Sequence, residues 1–529
     1  MMRVFVLPTL ALSLFASPVL AQPVPDLTPP ASQPADSGAL AQKLRETIIH
    51  DTLGAWWGGI LVFKDGQPLV KYTSGFRDAT GRPIDENTLF DVGDISMQFT
   101  CVALLKLEQD GKISLEDPVS KYFQDAGPSA DRITIRHLMG HTSGLVDSAP
   151  LPQGLDTFDR DATAHAVLTS QPASEPGAAW NYCRRGYSVL AAVIEKASGK
   201  PFERYMREDI FAKLGMTRTG FADGAGLDDD NTALRVSTGR VAASGRRPLF
   251  VGPEGWSWAG RGSAGVITCL NDAVRWERAM FSDELLSAPQ RAKLAELQKD
   301  YWALGAYVTT THRNTRRMWV GGASPGLIAV SFRFIDEGTS IFVISNEKGD
   351  PDLIAFSLSD VLFPPLPEHF QGELLLGELA TKVDRQLHPG RPSFRASRTG
   401  TDIQVEVLAP QGHPLARLVL SEGLARRTAA ALKDAIRVTA DKEIPPPSTT
   451  LDPRYLGVRT DGRCFFSSEA RLEVRAMLRG QDPEGKEVRE DLPVLAVIDP
   501  KAKGWPLLVR MDQPSSKQLY ETLTSAINQ

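Results

Sequence analysis

Helix-forming and strand-forming stretches are segregated along this 529-residue chain. That segregation predicts an α+β architecture: an antiparallel sheet flanked by helices and broken by a helical insertion, followed by a smaller α+β unit. The first sign is a hairpin near the start. In "WGGILVFKDGQPLVKYTSGFRD" (Trp57–Asp78) two apolar runs are split by Asp65-Gly66, a dipeptide suited to a tight turn between twisted strands. The second sign comes much later. "YWALGAYVTTT", "RRMWVGGA", "GLIAVSFRF" and "TSIFVISNEKG" read as consecutive strands of one antiparallel sheet. The third is the stretch between them, which is helical and loop-rich to about Ser282.

The elements follow in order. Residues 1–21 read as an export leader: Arg3, then "VFVLPTLALSLFASPVLA", with small residues Val19 and Ala21 before a cut. Residues 22–38, "QPVPDLTPPASQPADSG", form a Pro-rich linker that cannot bury a core. "ALAQKLRETIIHDTLG" has helical spacing and precedes the hairpin. "FDVGDISMQFTCVALLKLEQDGKISLEDPVSKYF" (Phe90–Phe123) contains a helix with Leu104, Leu105 and Leu107 on its apolar side. After the late strands, "DLIAFSLSDVLF" closes the unit as a helix, which sets its limits at 39–364. "PPLPEHF" marks the boundary. Residues 365–529 suffice for a small α+β domain of unknown role. Strands are expected at Ile403–Val407, Leu495–Ile498 and Leu507–Met511, and helices at Gly423–Ile436 and Lys517–Ile527.

Hydrophobic content of 42% and charged content of 23% are ordinary for a globular protein. A net charge of −5 argues against nucleic acid or an anionic membrane as main partner. No segment after the leader reaches the length of a membrane span. Cys101, Cys183, Cys269 and Cys464 are spaced too widely to define a pairing and read as small buried residues. Without CxxC or HExxH patterns, neither a metal nor a cofactor is expected.

An ordered series of motifs spans residues 39–364. "FDVGDISMQFT" resembles Phe-x-x-Gly-Ser-x-x-Lys-x-Phe-Thr. "ITIRHLMGHTSGL" (Ile133–Leu145) resembles a signature loop, intact here. "WNYCRRGYSVLAAVIEKASGKPFERYMREDIFAKLGMTRTGF" resembles a Tyr-x-Asn segment with its following helices. "GSAGVITCLNDAVRW" and "GGASPGL" resemble two late motifs. Together they resemble the serine β-lactamase-like family: class C β-lactamases, D-Ala-D-Ala carboxypeptidases and related esterases. The resemblance implies their fold and a cleft built for acyl transfer. In such a cleft a serine attacks, a desolvated lysine one turn later takes its proton, a tyrosine shares the proton traffic, and backbone N–H groups hold the oxyanion.

Mapped onto this chain, the machinery is degraded. The serine position is Asp94 and the lysine position is Met97. Tyr-x-Asn reads Tyr182-Cys183-Arg184. The late His/Lys-x-Gly motif reads Val320-Gly321-Gly322. Gly93 before Asp94, and Gln98-Phe99-Thr100 after it, fix the register. The resemblance thus implies an exported pseudoenzyme, periplasmic or secreted, whose cleft (Asp94, Tyr182, Arg184, Gly321, Gly322) binds a small molecule, peptide, cell-wall fragment or protein partner.

Arginine cannot replace the lost base, because it does not deprotonate in proteins. An Asp94–Arg184 ion pair is expected instead, since a lone carboxylate in a closed site is costly. Other readings stay open. Asp94 with Tyr182 could form an acid/base pair of a working enzyme with altered chemistry. Cys183, with Arg184 and Arg185 nearby, or Ser96 could act as a nucleophile, against packing and helix-start roles. His312 reads as an exposed loop residue, His137 and His141 as structural, and "RNTRR" (Arg313–Arg317) as a solvated turn. Residues 365–529 could carry the function on a platform formed by the first unit.

Overall fold

The computed structural model describes residues 38–529 apart from 53–55, 78–80, 125, 149–157, 222–235, 238–239, 242–250, 253–254, 312, 325–326, 347–350, 365, 367, 376–385, 452–462, 467–469, 477, 482–486 and 499–505. The expected leader, linker residues 22–37 and His312 therefore lie outside the described residues, as does the side chain of Cys464.

Helix α1 (Ala39–Thr52) leads into the hairpin β1 (Gly58–Lys64) and β2 (Gln67–Ser74). Asp65 and Gly66 both take positive φ, 52° and 81°, which matches the turn to the strand twist. The late runs form β3 (Tyr307–Thr310), β4 (Arg316–Ser324), β5 (Leu327–Phe334) and β6 (Thr339–Ser345). All six strands make one antiparallel sheet in the order β3-β4-β5-β6-β1-β2. The chain thus leaves the sheet after β2, builds the helical insertion, and returns beside β1.

Strand alternation sends side chains to two cores. Ile60, Val62, Val330, Phe332, Ile341 and Val343 pack under α1 and the closing helix α4 (Pro351–Leu362). On the opposite face Leu61, Phe63, Val320, Ala329, Phe342 and Ile344 meet the insertion, whose main helices are α2 (Ser96–Gln109) and α3 (Arg185–Ser198). Helix α2 has more than the one apolar side expected: every residue from Ser96 to Leu105 is buried. It is wedged between the sheet and α3, so it has no solvent face along most of its length.

One buried ion pair ties the insertion to the sheet. Arg333 of β5 donates to both oxygens of Glu277 at 3.0 and 2.8 Å, with both side chains at most 5% exposed. The two-pronged geometry offsets part of the cost of burying both charges, and removing either partner alone would strand the other.

Residues 370–528 build a separate core from two five-stranded antiparallel sheets and helices α5 (Glu422–Val438) and α6 (Gln513–Asn528). The strand expected at Ile403–Val407 runs Asp402–Leu408, and the expected helices match α5 and α6 to within a few residues. Asp512 caps α6 by accepting from Ser515 N at 2.9 Å. Helix α5 also touches the first unit. Asp434 accepts from Thr310 N at 2.9 Å and from Thr310 Oγ1 at 2.8 Å, which occupies a backbone donor on the edge strand β3. Among the described residues no helix is long and apolar enough to cross a membrane.

Candidate functional site

Asp94 sits on a single tight turn, Gly93–Ile95, that opens α2. The turn lies backbone against backbone on β4, and two glycines make that approach possible. Gly93 has φ +55°, and a Cβ there would come within 2.8 Å of the Ala323 backbone. A Cβ on Gly322 would lie 2.0 Å from Val92 O and 2.9 Å from Asp94 N. Asp91 pins the turn from behind. Its Oδ1 accepts from Gly93 N and its Oδ2 from Ser324 Oγ, both at 2.9 Å.

Tyr182 faces Asp94 from the insertion, and its hydroxyl donates to Asp94 Oδ2 at 3.1 Å. Burial raises the Asp94 pKa above the ordinary carboxylate value. The charge of Arg184 and the Tyr182 hydrogen bond oppose that rise, and Asp147 adds to it. Burial and the neighbouring Asp94 carboxylate in turn hold the Tyr182 phenol protonated.

The expected Asp94–Arg184 ion pair is not formed. Among the described residues Arg184 pairs instead with Asp147, Nε to Oδ2 at 3.4 Å, and the next residue's N–H donates to Asp147 Oδ1 at 3.1 Å. Asp147 lies on the loop after the signature segment and offers a partner at lower desolvation cost. Arg184 reaches Asp94 through its field alone.

Met97, one turn along α2 from Asp94, is fully buried. A thioether there can neither take nor give a proton. Val320 is buried in the same core, while Gly321 is exposed and Gly322 packs on the Asp94 turn. The structure thus brings Asp94, Tyr182 and Gly322 together, with Arg184 at the margin and Met97 and Val320 in the core.

The other nucleophile readings fail on geometry and protonation. Ser96 is buried, and its Oγ accepts from Val266 N at 3.1 Å, which anchors the adjacent strand Val266–Thr268. Cys183 is buried and its thiol is pushed up to about 12, first by burial and then by Asp147, so the thiolate is absent at neutral pH. Cys101 and Cys269 are also buried, free thiols. His141 is buried and held neutral, its pKa pushed down to about 3; its Nδ1 accepts from Cys183 N at 3.2 Å. His137 closes a capping box with Thr134. Both histidines thus hold backbone.

"RNTRR" needs correction. Arg313 and Arg316 pair with Glu337 and Asp336 at 2.6 and 2.7 Å, and Arg317 is largely buried over the rings of Phe332 and Phe356. Arg313–Thr315 form the expected turn, and Arg316 and Arg317 open β4, whose alternation turns Arg317 inward.

Sequence reading missed Asp91, Asp147 and an aromatic wall. Trp180, Tyr182 and Trp302 stand 6.0–6.3 Å apart ring to ring. Tyr307 meets Trp302 edge-on at 4.6 Å and stacks on Trp319 at 4.7 Å. Asp147, two residues past the intact signature loop, was within reach of inspection; the wall is assembled across more than 100 residues of chain and was not. Chemically, the site offers a partly protonatable carboxylate, a donor phenol and aromatic surface, with no activated nucleophile among the described residues.

A model of the family described as Beta-lactamase matches residues 50–354. Among curated proteins, penicillin-binding protein 4* of Bacillus subtilis is 24% identical over 341 residues, covering 58% of this chain and 72% of that one. A D-aminopeptidase of Brucella anthropi is 28% identical over 325 residues, covering 58% of each. A Yersinia enterocolitica β-lactamase is 32% identical over 258 residues, covering 46% of this chain and 61% of that one. The chain spans 41% and 46% of two further curated relatives it matches. Among solved structures, the octameric penicillin-binding protein homologue from Pyrococcus abyssi aligns with TM-score 0.52 at 17% identity over 88% of this chain and 99% of that one. FmtA from Staphylococcus aureus aligns with TM-score 0.51 at 21% identity over 61% of this chain and 88% of that one. At those identities the likeness concerns the fold alone.

Proposed function

The chain belongs to the β-lactamase family, and from that premise we propose that it is an exported member that no longer forms an acyl-enzyme and acts by binding. Asp94 occupies the place the resemblance gives to the nucleophilic serine, and Met97 the place of its lysine. One observation carries the reading: Tyr182 donates to the Asp94 carboxylate at 3.1 Å, beside a Met97 that is fully buried. Acylation by the route the resemblance implies needs a serine hydroxyl and a lysine amine within reach of each other, and Asp94 and Met97 supply neither. What remains is a recognition surface: a carboxylate, a phenol, the field of Arg184 and the aromatic wall. Peptides and cell-wall fragments, the kinds of ligand the resemblance suggests, present amide donors and apolar side chains that suit it.

A second reading rests on the raised pKa of Asp94. A carboxylate poised closer to neutrality, hydrogen-bonded to a tyrosine, is the equipment of a general acid/base pair. Two measurements decide between them. Chromogenic esters and a chromogenic β-lactam are assayed for turnover, and a D-Ala-D-Ala-ended peptide is titrated calorimetrically. Binding is expected to be saturable and weakened by Tyr182→Phe, with no turnover above buffer. Turnover abolished by Asp94→Ala contradicts the binding role.

A further inference from the structure

A cavity of about 1100 Å³ lies on the far side of the aromatic wall, between the β3 edge of the sheet and helix α5. Neither Asp94 nor Tyr182 lines it. Trp302, Tyr307, Arg317 and Phe356 form one side, and Asp434 and Lys442 belong to the other. Its size and mixed lining are those of a small-molecule site rather than a packing defect.

Most charges around it are already matched. Lys442 pairs with Asp300 at 3.1 Å and with Asp491 at 3.7 Å. Arg313 pairs with Glu337, Arg475 with Glu473, and Arg427 with Glu368. Asp434 is held by Thr310 and by Arg437. Asp360 also lines the cavity and acts on Arg427 through its field. Among the cations, Arg317 is the exception. Among the described residues no carboxylate lies within ion-pair distance of it. Its Nε is buried without an acceptor, and one long hydrogen bond leaves the guanidinium, Nη2 to Thr309 Oγ1 at 3.5 Å. The rings of Phe332 and Phe356 hold the group at 5.0 and 5.1 Å. Burial lowers its pKa, though a guanidinium stays charged. A fixed planar cation with unused N–H donors is shaped to take a carboxylate through two parallel hydrogen bonds.

We propose that this cleft binds a small organic carboxylate with an apolar or aromatic body, its carboxylate gripped by Arg317 and its body laid against Tyr307, Trp302 and Phe356. The cleft needs both units of the chain, because α5 supplies the opposite wall. Residues 365–529 thereby have a role: they complete a site that the first unit leaves open.

The test is calorimetric titration of the full chain with two kinds of carboxylate, phenylacetate and a dipeptide acid ending in phenylalanine, each against its amide. The acids are expected to bind and the amides to bind at least about tenfold more weakly, the worth of a charge-assisted pair. Preference between the free acid and the dipeptide identifies the source. Arg317→Met is expected to remove the acid preference. Ala431→Trp, which fills the cleft from α5 without touching Arg317, is expected to abolish binding by bulk. Equal affinity for acids and amides, no binding of any probe, or binding that survives both variants overturns the proposal. So does binding lost in Tyr182→Phe and kept in Arg317→Met, which would place the ligand at Asp94.

Discussion

The Tyr182 hydroxyl donates to Asp94 Oδ2 at 3.1 Å, so a phenol that its relatives are expected to aim at a serine here satisfies a carboxylate. The bond favours the ionised form of Asp94, which burial disfavours. Tyr182→Phe should therefore raise the Asp94 pKa further. Carboxyl-carbon NMR of labelled aspartate, titrated in both proteins, checks this. An unchanged or lowered value would mean the contact does not persist in solution.

Burial of Asp94 makes stability depend on pH. Its folded pKa is raised, so the folded state holds the proton more tightly than the unfolded chain. The contribution is fully present below the ordinary carboxylate pKa of about 3.9 and is lost as pH climbs through the raised folded value. Asp94→Asn removes that loss while keeping an oxygen for Tyr182. It should be more stable at neutral pH by about 0.5–1 kcal/mol, with the gain fading below pH of about 4. Thermal melts across that range show the convergence or its absence.

Supplying one half of the serine–lysine pair that the resemblance implies should produce no acylation. Asp94→Ser alone leaves Met97 beneath it, so the hydroxyl has no base. Asp94→Ser combined with Met97→Lys should form a slow covalent adduct with a fluorophosphonate. An adduct on the single variant would point to another base in the cleft.

Arg333 and Glu277 bury their charges together. Arg333→Met strands a buried carboxylate and should cost about 3–5 kcal/mol in urea unfolding. Adding Glu277→Leu should recover much of it. If both proteins unfold at the parent's midpoint, the pair does not hold the insertion to the sheet.

Much of this fold could be read from local pattern. Asp65-Gly66 announces its hairpin, and the runs that became β3–β6 carry strand residues in every register. That Asp94 and Tyr182 would meet was legible because Gly93 and Gln98-Phe99-Thr100 set the register in which the resemblance to the family motifs is read. Arg184 was harder. Its residue type signalled an anion, but Asp94 and Asp147 compete for it, and desolvation decides between them in three dimensions. Arg317 was misread because "RNTRR" looks like a charged turn, whereas strand alternation inside β4 carries its third arginine under α4. The aromatic wall joins residues from Trp180 to Trp319, and such contacts leave no local trace.

The most direct test is intact mass of the unaltered chain after incubation with penicillins and fluorophosphonates. The mass should stay that of the free protein at every reagent and time. A stoichiometric adduct that maps by peptide digestion to a serine lining the Asp94 cleft would show that an acylating hydroxyl survives there, and the binding role would fall with it.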